Sequence, residues 1–505
     1  MPISDVGILR KILSEKENEM TWVDAIIKPI TVLWLGKVSH NHILLPRSSF
    51  CSKAVVFSPP VVKMPPNLKF LQDAGSLTAA VTLAEVLEHP RIRVAILGCG
   101  MMGQEHVSYI CGYPKDLRID YLADPFQPSL DAAKKVLSEF RDRVQGNGSD
   151  EDQCHQPMFL QTEDELFQHV DNIDLLVIAT PNYLHADSLI KWGKQDIAIL
   201  CEKPVAVSQD QINRLHELTH HPEFRARVWT AMEYRYMPAI AKLLSLVPST
   251  IGDLKMITIR ENRYPFLHKV QEWNRDPAKT GDTLVEKCCH FFDLFRLITG
   301  QEVKLPEVRA LAQRGLNYHE ETPVFGVDRP IIDSAYVVMP FDGGNQTKEN
   351  TNPEDQSKTV GTIGCLELCM YCEGSRHQEE IIVTGTKGRL EAYLPENKVF
   401  SFERPSMELW DDRSIPPPPS SVRRQVFDCS DAKEIHGIED EIPTHGGYHY
   451  SSTAVEWYRL LGAMRHHSKT GTFLPEVSLQ DGMAAVQIGL QASTAIVNEQ
   501  QGGEK

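Results

Sequence analysis

The sequence predicts an α/β chain of two domains: a doubly wound parallel sheet, then an α+β domain with a large, open, mostly antiparallel sheet. Three observations predict it. From Arg91 to Met232 short apolar runs alternate with helical patterns, the signature of a parallel sheet with crossover helices. A glycine-rich turn joins the first apolar run to the first helix. After Glu233 strand-like runs follow one another with mostly short turns between them, as in an antiparallel sheet.

The chain's 505 residues exceed what one simple core accommodates, so two domains and appendages are expected. We divide it into an extension over 1–88, a nucleotide-type domain over 89–232 and an α+β domain over 233–500. The elements follow in order. "RIRVAIL" is a strand, "EHVSYICGY" a helix, "RIDYLAD" a strand and "SLDAAKKVLSEFRDR" a helix of good propensity. A polar insert, "GNGSDEDQ", precedes the strand "PMFLQ" and an acidic helix start at "TEDELFQHV". "DLLVIAT" is almost continuously apolar, as for a strand covered on both faces; "IAILC" and "ARVWTAM" continue the series. In the second domain a single helix is expected across "GDTLVEKCCHFFDLFRLITG", among strands at "KMITIREN", "EVRALAQRGL", "SAYVVMPF", "TIGCLELCMYCEG", "EEIIVTGTKGRLEAYL" and "KVFSFE". "DDRSIPPPPSS" reads as an extended linker, and two helices, "STAVEWYRLLGAMRHH" and "SLQDGMAAVQIGLQASTAIV", close the chain.

"VAILGCGMMGQEH" places Gly98, Gly100 and Gly103 around Met101 and Met102 between strand and helix. Such glycines permit a tight turn, close approach of backbone to a pyrophosphate, and close helix–strand packing, while the helix N-terminus faces the phosphate charge. That is the fingerprint of a Rossmann domain. Asp124 ends the next strand, about 20 residues on, where a carboxylate accepts the ribose hydroxyls. Pro125 and Phe126 follow it instead of an arginine, so a 2′-phosphate has no evident host; NAD is favoured and NADP is the alternative.

Downstream, "ATPNYLH" (Ala179 to His185) and "ILCEKP" (Ile199 to Pro204) bring polar residues to the ends of buried strands. "GDTLVEKCCHFFD" (Gly281 to Asp293) then puts Glu286, His290 and Asp293 at the spacing of one helical face. With the glycine turn, these motifs in this order resemble the glucose–fructose oxidoreductase and inositol dehydrogenase family, also called Gfo/Idh/MocA. The resemblance runs from about Arg91 to Ile496. It implies a Rossmann domain followed by an open-sheet domain, with substrate between them against the nicotinamide. The activity implied is hydride transfer between NAD(P) and a secondary alcohol of a polyol, sugar or cyclic diol, as in an inositol 2-dehydrogenase or a dihydrodiol dehydrogenase. An NAD-dependent glycosidase and a catalytically silent sugar-sensing regulator are the alternatives.

Under that resemblance Gly98, Gly100, Met101, Met102, Gly103, Asp124, Thr180, Pro181, Asn182, His185, Glu202 and Lys203 line the cofactor, and Lys203, Arg235, Glu286 and His290 face the substrate. Pro204 biases Lys203 toward an extended conformation, and burial there should lower the amine's pKa so that it exchanges protons near neutrality. Lys203 then polarises the reacting oxygen. His290, whose pKa lies near working pH, takes the hydroxyl proton, and Glu286 holds its ring from one turn away. The family usually has aspartate at position 286 and glycine at 282 and 288, so Glu286, Asp282 and Cys288 are departures. Arg235 reaches substrate or pairs with Glu233.

The remaining features are negative or local. A net charge of −16 argues against nucleic acid or an anionic membrane as partner, and no apolar run is long enough to span a bilayer; the expected partners are a small polyol or sugar and further copies of the chain, as a dimer or tetramer. No metal is required. The C-x3-C-x2-C spacing of Cys365, Cys369 and Cys372 matches a cluster-binding motif, but on a strand Cys365 and Cys369 share a face opposite to Cys372, so a core strand is expected. His445 and His449 read as loop residues, and the sequons at Asn147 and Asn345 as chance matches in polar loops. Eleven cysteines without close, even spacing favour a reducing, cytoplasmic setting. Between Met20 and Met64 five basic residues face one acidic residue, Asp24. That composition resembles an organellar presequence, for plastid or mitochondrion; an unstructured or misassigned extension is the other reading.

Overall fold

The computed structural model describes residues 91–144, 156–317, 320, 331–342, 361–405, 415, 422–443 and 451–502. The N-terminal extension, both sequons, the tetraproline segment, His445 and His449 lie outside the described residues.

The first sheet runs β1 (Ile92–Leu97), β2 (Leu117–Ala123), β3 (Met158–Leu160), β4 (Leu175–Ile178), β5 (Ala198–Glu202) and β6 (Arg227–Ala231). Its spatial order is β3-β2-β1-β4-β5-β6, and every pair is parallel. The order reverses between β1 and β4, so the crevice outside their carboxyl ends is the place for a ligand. Every residue of β4 and β5 is buried, which is why those segments are apolar up to Glu202 at the end of β5. Helices α1 (Met101–Cys111), α2 (Gln127–Val144), α3 (Glu163–Phe167), α4 (His185–Trp192) and α5 (Gln209–His220) make the connections. Thr162 starts α3 with a capping box to Glu165, the expected acidic helix start.

A 3₁₀ turn, Glu233–Tyr236, leads into α6 (Pro238–Thr250), a helix the sequence reading did not anticipate. Its first residue is Pro238, where the missing N–H costs nothing. The second sheet holds β7 (Leu254–Asn262), β8 (Arg309–Gln313), β9 (Ser334–Pro340), β10 (Ile363–Cys369), β11 (Glu379–Gly385), β12 (Gly388–Leu394), β13 (Lys398–Glu403) and β14 (Arg424–Asp428). Its order is β14-β13-β12-β11-β7-β10-β9-β8, antiparallel except for the central β7–β10 pair. Between β7 and β8 lie α7 (Pro277–Thr280), α8 (Thr283–Glu286) and α9 (Cys289–Thr299). The segment Gly281–Gly300 is therefore two helices and not one, and Glu286 and His290 do not share a helical face.

Three helices end the chain: α10 (Ala432–His436), α11 (Ser452–Thr470) and α12 (Leu479–Gly502). Ala454, Val455, Trp457 and Leu460 of α11 join the core beside β1 and α1. In α12, Leu479, Met483 and Val486 pack under the first sheet, while Ala485, Ile488 and Ala492 pack in the core of the second. Two glycines let α12 approach both: a Cβ on Gly482 would lie 2.9 Å from Thr230, and one on Gly489 2.5 Å from the Leu284 carbonyl oxygen.

Candidate active site

The site starts at the glycine turn. Gly98 has φ +96°, and a Cβ there would lie 2.5 Å from the Ala179 backbone. A Cβ on Gly103 would lie 2.0 Å from the Gly98 carbonyl oxygen, so α1 is packed onto the turn as closely as glycine permits. Gly100 differs: nothing lies within 4 Å of where its Cβ would be. It starts α1, which has no side-chain cap and no acidic residue in its first turn. The space beside Gly100 at this helix start is open, and exposed Met101 flanks it. At the end of β2, Asp124 is oriented by two backbone donors, Cys99 N at 2.7 Å and Phe126 N at 2.8 Å. Beyond β4, Thr180 Oγ1 and Asn182 Nδ2 are buried with no hydrogen-bond partner, and Pro181 begins the turn that carries Asn182. An open helix terminus, an oriented carboxylate and unmatched polar atoms along one edge fit a dinucleotide.

Behind this edge, His185 holds two loops together. Its Nδ1 lies 2.8 Å from the Pro204 carbonyl oxygen and its Nε2 2.8 Å from that of Thr180. The ring is buried and occupied by backbone, so it shapes the pocket from behind. Burial pushes its pKa below the ordinary histidine value, against the pull of the two carbonyls. Glu202, expected along the cofactor, instead turns inward. Its Oε1 lies 2.9 Å from His106 Nε2, and Trp457 Nε1 donates to His106 Nδ1 at 3.2 Å. Because the indole can only donate, Nδ1 accepts and Nε2 carries the proton given to Glu202. Burial opposes the Glu202 charge, yet this hydrogen bond, with Lys203 and His185 nearby, holds its pKa below the usual glutamate range.

Lys203 follows β5, joined to Pro204 by a cis peptide bond. Its amine crosses to the second domain and donates to the Glu286 carbonyl oxygen at 3.2 Å. The expected lowering of its pKa is reversed. Burial does work against the charge, but Cys289, Glu233, Glu286 and Glu202 surround the amine and raise its pKa above the ordinary lysine value. Lys203 is therefore a fixed cation, suited to polarising an oxygen rather than exchanging protons at neutral pH.

His290 sits near the start of α9, buried. Its Nε2 lies 3.5 Å from Glu233 Oε1, and its ring stacks on Tyr234 at 4.3 Å between centroids and 12° between planes. Glu286 ends α8 and points elsewhere: its Oε1 lies 3.6 Å from Lys269 Nζ, and its buried Oε2 has no hydrogen-bond partner. The expected hold of Glu286 on the imidazole is thus replaced by Glu233 and Tyr234. Lys269 lies over the Trp273 ring, 4.5 Å from its centroid. Burial draws its pKa below the ordinary lysine value, helped by Lys203 and opposed by Glu286.

Arg235 is not offered to substrate, nor paired with Glu233. Its guanidinium grips Asp293 with two bonds of 2.6 and 2.5 Å and donates to the Glu476 carbonyl oxygen at 2.7 Å. Asp282 has φ +70° and ψ 175°, a region normally reserved for glycine. Its carboxylate compensates by accepting from Thr283 N and Ile332 N, each at 2.8 Å, and by pairing with Arg314. The strand expected to run through Cys372 ends at Cys369. The chain then folds back, bringing Cys369 Sγ and Cys372 Sγ to 3.1 Å instead of to opposite faces. Among the described residues no group of three or more histidine, cysteine, aspartate or glutamate side chains is placed to hold a metal ion, and no helix is long and apolar enough to cross a membrane.

Sequence reasoning named Glu233 only as a partner for Arg235 and passed over Tyr234, Lys269 and His106. For Glu233 a signal existed: it is a carboxylate delivered just past the end of a buried strand, as Glu202 is at the last position of one, where charge is costly without a task.

Two family models match the chain: "Oxidoreductase family, NAD-binding Rossmann fold" over 92–228 and "Oxidoreductase family, C-terminal alpha/beta domain" over 246–353. The chain belongs to the Gfo/Idh/MocA oxidoreductase family. Among curated relatives, the inositol 2-dehydrogenase of Arthrobacter sp. (strain FB24) is 26% identical over 222 residues, 43% of this chain and 57% of that protein. The glucose-6-phosphate 3-dehydrogenase of Bacillus subtilis is 23% identical over 224 residues, 43% of this chain and 63% of that protein. The chain thus spans little more than half the length of the curated relatives it matches. Among solved structures, levoglucosan dehydrogenase in complex with NADH superposes with a TM-score of 0.59 at 16% identity, covering 81% of this chain and 98% of that one. A myo-inositol dehydrogenase from Corynebacterium glutamicum gives 0.52 at 18%, with the same coverage. At these identities the likeness is one of fold.

Proposed function

We propose that this Gfo/Idh/MocA protein is an NAD-dependent dehydrogenase acting on a secondary alcohol of a polyol, sugar or cyclic diol, giving the ketone or running the reverse. The observation that carries the reading is the meeting of Lys203, from the nucleotide domain, with the Glu286–His290 segment of the second domain. The amine touches the Glu286 carbonyl and, like His290, faces Glu233. NAD, held along Gly100, Asp124, Thr180 and Asn182, would supply the hydride acceptor. Lys203 orients the substrate hydroxyl and stabilises negative charge on its oxygen as the proton leaves. His290 takes that proton and returns it in the reverse direction. Glu286 and Lys269, joined as an ion pair beside Lys203, offer an acceptor and a donor to neighbouring hydroxyls. Asp124, with no arginine after it, supports NAD over NADP.

The relatives named as inositol and sugar dehydrogenases support the substrate class. The test is the near-ultraviolet absorbance of NADH on mixing the protein with NAD and a panel of inositols, aldoses, anhydrosugars and cyclic diols. Reduction with at least one member is expected. NAD binding without oxidation of any member favours a sensing role.

For assembly we propose a homo-oligomer through the open face of the second sheet. Met256, Leu311, Tyr336, Val338 and Ile363 are exposed on neighbouring strands β7 to β10, an apolar patch suited to a second copy. Light scattering at the mass of one chain would remove this proposal.

A further inference from the structure

Three consecutive residues of the 3₁₀ turn after β6 each take a separate hold on α9. Arg235 grips Asp293 bidentately. Tyr234 lies flat against the His290 ring. Glu233 meets the Nε2 edge of that ring at 3.5 Å. The Tyr234 hydroxyl is itself anchored, donating to Glu379 Oε1 at 3.1 Å and receiving the Lys287 amine. The imidazole therefore has its plane set by one neighbour and its edge by the next. Glu286, one helix earlier, is committed to Lys269.

We propose that Glu233 is the positioning residue of His290: it holds the imidazole by its Nε2 edge and balances the imidazolium formed when the substrate hydroxyl is deprotonated. The proposal rests on the dehydrogenase reading above for the identity of that proton. In the step, the hydroxyl O–H bond breaks and an N–H bond forms on the imidazole. The carbonyl forms as the C–H electron pair departs as hydride to the nicotinamide acceptor of the proposed reaction. Glu233 Oε1, at ion-pair distance from the Nε2 edge, faces the positive charge as it forms.

The surroundings make a carboxylate at this position consequential. Lys203 faces Glu233 from the end of β5, together with Glu202, Glu286 and Cys289. From α11, Glu456 faces Glu233 and Glu202. Asp293 is neutralised by Arg235, and on the far side of Tyr234 lie Lys287, Glu261 and Glu379. Within this field Glu233 lies in ion-pair reach of the ring, and an opposite charge that close favours the protonated imidazole.

The test is a histidine titration by long-range ¹H–¹⁵N NMR on the full-length protein with ¹⁵N-labelled histidine and no substrate, the His290 signal being identified by its loss in His290→Asn. Glu233→Gln should lower the His290 midpoint by about one to three units; Glu286→Gln should move it less, and Glu233→Asp should restore part of the shift. An unchanged midpoint in Glu233→Gln, or a larger shift in Glu286→Gln, overturns the proposal. If circular dichroism shows Glu233→Gln unfolded, Glu233→Asp carries the comparison: a smaller downward shift supports the proposal and no shift overturns it. Because no turnover is read, a protein that oxidises no polyol leaves this result standing, and an active one does not rescue it.

Discussion

Replacing Asp282 separates backbone strain from the hydrogen bonds that compensate it. The residue occupies φ +70°, ψ 175°, which costs a non-glycine residue about 1–3 kcal/mol. Its carboxylate caps Thr283 N, accepts from the buried Ile332 N–H and pairs with Arg314. Asp282→Ala keeps the strain and removes all three contacts. The cap is worth about 1 kcal/mol, an unmatched buried N–H about 1–3, and the half-exposed ion pair about 0–1. A loss of about 2–5 kcal/mol follows from adding those three terms. Asp282→Gly loses the same contacts but releases the strain, offset by roughly 0.5–1 kcal/mol of extra backbone entropy in the unfolded chain. Glycine should therefore be the milder substitution, by about 1–2 kcal/mol. Urea unfolding followed by tryptophan fluorescence, with matched slopes, measures the difference. An alanine variant as stable as the glycine variant would falsify the strain argument, and a glycine variant as stable as wild type would show that the three contacts contribute no more than the strain they offset.

Lys203→Met should reduce polyol turnover by about 10²–10³-fold while the dissociation constant for NADH, read by fluorescence, changes far less; equal loss of both contradicts its role as an oxygen-polarising cation. Asp124→Ala should weaken NAD more than NADP in the same binding assay, and an unaltered ratio removes the ribose assignment. Glu379 supplies a pH test. Burial, with Glu261 nearby, raises its pKa to about 8, so the folded state binds a proton that the unfolded state releases at ordinary glutamate pKa. The stability it contributes is full below that unfolded value and is lost as pH rises through about 8. Melting temperature should fall over that window in the wild type and fall less in Glu379→Gln; identical pH profiles would refute the assignment.

Much of the first domain is legible because its central strands are buried on both faces and therefore written in apolar runs, Leu175–Ile178 in β4 and Ala198 to Cys201 in β5. The glycine turn is legible because only glycine fits at Gly98 and Gly103. The break between α8 and α9 is not. No proline or glycine interrupts Thr283 to Thr299, yet α8 ends at Glu286, Cys288 N reaches back five residues to the Thr283 carbonyl oxygen at 3.2 Å, and α9 begins at Cys289. Once the helix is broken, spacing no longer says which side chains share a face. The partners of Glu286 and His290 are then set by tertiary contacts, Lys269 from an irregular loop and Glu233 from a 3₁₀ turn. The same holds for Glu202, whose carboxylate is drawn inward by His106, which is in turn fixed by Trp457, 351 residues away in sequence. β14 on the sheet edge escaped notice for the opposite reason: it is largely exposed and lacks apolar alternation.

One helix belongs to two interiors. Since α12 lends neighbouring side chains to both the first-sheet and the second-sheet packing, neither half can swing away from the other without tearing a hydrophobic seam. The crevice is thus cast when the chain folds, and a substrate meets a mould already set.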